Sequence, residues 1–213
     1  MCRSIIKRVN ALSKEKIMTL TFRSASIAAV VIYAAGLAGC AVFDYEQRQT
    51  APFYYTKKSI CSDSELKYIS ERILQVVNAE RKKTGRSLLE WDSGLASVAA
   101  SHSADMVRRK FFAHVNPDGE DAIARAERMG VPSYSAKGSW KIGVGENVGM
   151  LSRGNLKGYG EIRTSEDIAT VMMDIWMKSS GHRENILSSD YRLLGVGVVC
   201  NPTGTYYFTQ NFR

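Results

Sequence analysis

Residues 25–37 carry no charge, follow a basic stretch that ends at Arg23, and run straight into Leu37-Ala38-Gly39-Cys40. This feature divides the chain. The uninterrupted apolar run is shorter than the roughly 20 residues a helix needs to cross a bilayer, and its place behind a basic segment is that of a secretory signal. The four residues that close it resemble a bacterial lipobox, in which small residues let the backbone enter a peptidase and the thiol of Cys40 receives a lipid. What remains of the 213 residues has room for one core of ordinary domain size. The sequence thus predicts a signal peptide at 1–39, with Met18 as an alternative start that gives a leader of more usual length, a tether at 40–61 and a folded domain at 62–213.

The basic charge belongs largely to the leader: removing 1–39 takes away six basic residues and Glu15, and the formal charge falls from +8 to +3. No dense Lys/Arg stripe remains in the body, so nucleic-acid binding is not expected. An apolar fraction of 45% with 23% charged residues is near the average of globular chains and suggests neither a polytopic membrane protein nor wholesale disorder. Of the four cysteines, Cys2 departs with the leader and Cys40 takes the lipid, which leaves Cys61 and Cys200. An even pair in an oxidising compartment suggests a disulfide, with two buried free thiols as the alternative, and rules out a cysteine-based metal cluster.

Ser62 with Glu65 resembles a capping box, and Leu66, Ile69, Ile73, Val76 and Val77 follow at helical spacing to a stop at Gly85. A second helix begins near Asp92 or Ser93 and places Leu95, Val98, Ala99, His102 and Met106 on one face. A short helix fits 120–129, closed by Gly130 and Pro132, and residues 140–150 read as one strand whose glycines admit a close neighbour. Residues 151–163 read as a loop. Thr164 with Asp167 opens another helix, expected to stop at Gly181, and the β-rich runs 193–200 and 205–212 form a hairpin around Asn201-Pro202-Thr203-Gly204. Helices outside a short central sheet make an α+β domain, a three-layer α-β-α sandwich.

Two of the three histidines fall in segments rich in turn residues. His114 stands in Phe111-Phe112-Ala113-His114-Val115-Asn116-Pro117-Asp118-Gly119, and His182 in Ser179-Ser180-Gly181-His182-Arg183-Glu184-Asn185-Ile186-Leu187, with Gly145-Glu146-Asn147-Val148 between them. With Val77-Asn78-Ala79-Glu80-Arg81 before them and Gly195-Val196-Gly197-Val198 and Tyr207-Phe208-Thr209-Gln210-Asn211-Phe212 after, these segments in this order resemble the bacterial branch of the CAP superfamily (cysteine-rich secretory protein, antigen 5, pathogenesis-related 1).

The resemblance implies one cleft formed by His114, Glu146 and His182, with Asn147 beside it, able to hold zinc or another divalent cation through the two imidazoles and the carboxylate. The second glutamate of many relatives has no evident counterpart; Asp174 is the nearest substitute and its spacing is poor. His102 reads as a helix residue bonded to a backbone group and is left out of the site. The function implied is that of an extracytoplasmic, lipid-anchored module that binds an envelope ligand: a lipid, glycan, peptide or metal. A metal-dependent hydrolase using the same cleft and a structural envelope protein are the alternatives; against the hydrolase, no H-E-x-x-H helix or G-x-S-x-G turn occurs, so nothing outside the resemblance points to hydrolysis and enzymatic activity stays open. The expected place is the cell envelope. Ala41 after the lipidated cysteine points to the periplasmic face of the outer membrane if the cell is Gram-negative.

Overall fold

A computed structural model describes residues 60–213. The signal, Cys40 and the tether before Ile60 lie outside the described residues. Helix α1 (Asp63–Lys83) starts where the Ser62 hydroxyl accepts from Glu65 N. Only that half of the expected capping box forms, because Glu65 turns away and its Oε1 accepts from Tyr206 Oη at 2.6 Å. Strand β1 (Glu90–Trp91) and helix α2 (Ser93–Arg109) follow, the latter capped by Asp92. Helix α3 (Ala122–Arg128) is capped by Asp121.

Two predicted segments divide differently. Residues 140–150 form two strands: β3 (Trp140–Gly143) pairs with β2 (Tyr134–Lys137) in a separate hairpin, and β4 (Gly145–Ser152) joins the main sheet. The predicted loop 151–163 contains a small hairpin, β5 (Gly154–Leu156) with β6 (Gly160–Ile162). Helix α4 (Ser165–Lys178) has the reciprocal Thr164/Asp167 capping box. Gly181 is not a stop: Ser179 ends α4 and begins α5 (Ser180–Leu187), so His182 lies in the first turn of a helix rather than in an irregular segment. Strands β7 (Leu193–Cys200) and β8 (Thr205–Phe212) close the fold.

The four-stranded sheet has the order β1-β7-β8-β4, antiparallel except for the β1–β7 edge. Helices α2 and α3 cover one face; α1, α4 and α5 cover the other. The alternation along β7 sends Gly195 and Gly197 to the same side. There α2 lies so close that a Cβ on either would come 2.1 Å from a backbone nitrogen, Ala96 or Ala100 respectively. The branched residues that alternate with them, Val196 and Val198, enter the opposite core with Ile69, Ile73, Met172, Trp176 and Phe208.

Two residues near the end of α1 act as structural ties. Asn78 bonds both backbone groups of Leu89, at 2.8 and 2.9 Å. Arg81, fully buried, donates to the carbonyls of Ser87, Ile186 and Ser188, which pins the far end of α5. Cys61 and Cys200 form a disulfide with Cα atoms 6.1 Å apart, which joins the residue before the α1 cap to the end of β7.

Candidate functional site

The site collects around β4, the strand at one edge of the sheet. Its side chains alternate, so Glu146 faces the α2–α3 side while Gly145, Asn147 and Gly149 face α4 and α5. An edge strand leaves backbone groups without a strand partner. Here Trp176 Nε1 donates to Val148 O at 2.9 Å and Asn185 Nδ2 donates to Glu146 O at 3.0 Å, so helices α4 and α5 are fastened to the edge that carries the carboxylate.

His114 approaches Glu146 from the segment between α2 and α3. Asn116 braces that segment, accepting from the backbone of Asp118 and Glu120 at 3.0 and 2.9 Å. His114 Nδ1 donates to Glu146 Oε1 at 3.0 Å, the carboxylate being an acceptor. The His114 side chain is 53% exposed and that of Glu146 only 5%. A buried carboxylate needs a compensating charge, and Arg125 supplies it, with Nη2 2.5 Å from Glu146 Oε2. Sequence reasoning missed Arg125. Its signal was the spacing Ala122, Arg125, Ala126, which puts an arginine on the buried face of a short helix.

His182 comes from the opposite side of the edge, on α5. Its ring centroid is 6.5 Å from that of His114, with the planes 44° apart. Burial, and then the neighbouring His114, push the His182 imidazole below its ordinary pKa. Its Nδ1 is buried without a protein partner. Asn147 does not face this cleft: it is fully buried and donates to Gln210 Oε1 at 3.0 Å and to His182 O at 3.1 Å. Its role here is to hold the α5 backbone. Asp174 pairs with Lys178 on α4, at 2.7 Å.

His102 is fully buried and donates from Nε2 to Ala113 O at 2.9 Å, so it too fixes the segment leading to His114. It stands 3.9 Å from Glu146 Oε1, outside hydrogen-bond range. Burial lowers its pKa against the opposing pull of Glu146. It is a neutral neighbour of the site.

A divalent cation held by His114, Glu146 and His182 needs free donor atoms. Both oxygens of Glu146 are engaged, one of them by a guanidinium. Among the described residues, no group of three or more His, Cys, Asp or Glu side chains is arranged to hold a metal ion. Two imidazoles remain, one short of the three protein ligands of an open zinc site. As arranged, these residues do not fit a three-ligand centre.

Residues 74–212 match the family described as CAP, the cysteine-rich secretory protein family. The uncharacterized membrane protein YlbC of Bacillus subtilis (strain 168) is 32% identical over 160 residues, which are 73% of this chain and 38% of YlbC. The uncharacterized protein YkwD of the same organism is 29% identical over 157 residues, 74% of this chain and 51% of YkwD. The chain therefore spans about half or less of the length of these relatives. An extracellular protein containing a SCP domain from Bacillus anthracis shares the fold with a TM-score of 0.53 and 26% identity, covering 73% of this chain and 44% of that one. An outer surface protein from Borrelia burgdorferi also has a TM-score of 0.53, at 17% identity, over 73% of this chain and 96% of its own, a likeness of fold. The family match spans more than half of the sequence and carries the motifs around His114, Glu146 and His182: the chain belongs to the CAP, or cysteine-rich secretory protein, family.

Proposed function

We propose that this protein is an extracytoplasmic binding module, anchored by a lipid on Cys40, that takes an envelope ligand between His114 and His182. The observation that carries the reading is the 3.0 Å hydrogen bond from half-exposed His114 to buried Glu146. An imidazole whose Nδ1 proton is engaged by a carboxylate offers Nε2 to a partner. Support for the location comes from the relatives, one named a membrane protein and one an extracellular protein. Among the described residues no helix is long and apolar enough to cross a membrane; the anchor at Cys40 is supported by the lipobox-like Leu37-Ala38-Gly39-Cys40 that closes the apolar run.

Two measurements test this. A Cys40→Ala variant should stay unprocessed or leave the membrane fraction, and wild-type fractionation of that variant would remove the anchor. The full-length protein should be retained on isolated cell-wall glycan or on lipid vesicles, with retention lost in the His114→Ala/His182→Ala variant at unchanged thermal midpoint. Equal retention of variant and wild type on both supports would remove the cleft from the binding function.

The same hydrogen bond favours a second reading, hydrolysis. An imidazole whose Nδ1–H is held by a carboxylate presents Nε2 as the atom that would accept a proton from an attacking water. Turnover of a glycan or ester that disappears in His114→Ala would establish it.

A further inference from the structure

Arg125 deepens the binding reading and rests on it. The guanidinium is almost wholly buried, at 1% exposure, and it reaches three acceptors. Nη2 donates to Glu146 Oε2 at 2.5 Å, while Nη1 donates to the carbonyls of His114 at 2.9 Å and Glu120 at 2.7 Å. A single planar group thus holds the side chain of Glu146 and the main chain of His114, the two ends of one hydrogen bond. The planar fork of arginine suits this; a lysine ammonium would carry the charge without the geometry.

The consequence lies in the proton. A neutral imidazole carries its hydrogen on either nitrogen, and the partner of one nitrogen fixes the state of the other. With Oε2 of Glu146 spent on Arg125, Oε1 faces His114 Nδ1 and keeps the proton there. We propose that Arg125 is a positioning residue that locks His114 as its Nδ1–H tautomer, so that the cleft presents a bare Nε2 to a ligand that donates a hydrogen bond, a hydroxyl or an N–H. Glu146 then acts behind the imidazole, as its orienter, and Arg125 acts through Glu146.

The test reads the tautomer directly and needs no ligand. In the full-length protein labelled with ¹⁵N-histidine, long-range ¹H–¹⁵N correlation spectra at a pH where the ring is neutral should show His114 with hydrogen on Nδ1 and none on Nε2. In Arg125→Lys the charge is kept and the fork lost, and the two His114 nitrogens should move toward the averaged positions of a free imidazole. Glu146→Gln with Arg125 intact should shift the proton toward Nε2, because Arg125 takes the amide oxygen and the NH2 group then faces His114 Nδ1. A folded Arg125→Lys protein that keeps the wild-type nitrogen positions overturns the role of Arg125. Should that variant not fold, the wild-type spectrum still decides, because a proton on Nε2 or an averaged pair overturns the proposal. A failed ligand screen would sink the binding reading and leave the tautomer result standing.

Discussion

Gly197 on β7 lies against Ala100 on α2 with no room for a side chain: a Cβ at Gly197 would stand 2.1 Å from the Ala100 nitrogen. The neighbour is helix backbone, which cannot rotate away. Gly197→Ala should therefore cost about 3 kcal/mol, at the upper end of overpacking penalties. Gly181→Ala, with nothing within 4 Å of the added Cβ, should stay within about 0.5 kcal/mol of wild type. Urea unfolding of both variants checks this, and a mild Gly197→Ala would mean that α2 can lift from the sheet.

Breaking the Cys61–Cys200 bridge, which closes a loop with a sequence separation of 139, should lower stability by about 2 to 5 kcal/mol. The comparison is urea unfolding of the wild type against Cys61→Ala/Cys200→Ala. Matching midpoints would assign the bridge no stabilising part.

Acid should weaken the fold through His102. Burial holds its imidazole below the ordinary value, and unfolding restores that value, near pH 6.5. The unfolded chain then binds more protons in the window below about pH 6.5, so this contribution is full above the window and is lost as pH falls toward the folded pKa. His182, lowered by the same cause, adds in the same direction. Between pH 7 and pH 5 the unfolding midpoint of the wild type should drop more steeply than that of His102→Asn. Parallel slopes would show that His102 is not the group being charged.

Chelation should leave the thermal midpoint unchanged, because Arg125 already compensates Glu146 and a metal that completes a structural centre would contribute to folding outright. Scans with and without a strong chelator decide it: a midpoint lowered by chelator and restored by zinc would place a metal at the two imidazoles after all.

Helices α1, α2, α3 and α4 were legible in the sequence because their signals are local. Ser62, Asp92 and Thr164 each cap the helix that follows, and the apolar spacing behind them matches the buried faces. The β2–β3 hairpin was not, since Tyr134-Ser135-Ala136-Lys137 has little of the β-branched character that marks a strand. Gly181 misled for a different reason. Helix α5 is held by distant groups, Arg81 at Ile186 O and Asn185 at Glu146 O, and no local pattern announces such ties. His114 and Glu146 could be placed in one site through the family resemblance, and the structure brings them together. Arg125 escaped because a charged residue in a seven-residue helix reads as solvated unless its neighbours on the face are noticed.

The position of the disulfide bears on how the domain carries load. A pull through the chain that precedes Ile60 enters at Cys61, one residue before the α1 cap. With the bridge closed, that force is shared with Cys200, the last residue of β7, whose strand is paired with β8 inside the sheet. With the bridge open, the same force would peel α1 from its first turn, one hydrogen bond at a time. Cys61 and Cys200 thus hand a load on the incoming chain to the paired strands of the sheet before it reaches the first turn of α1.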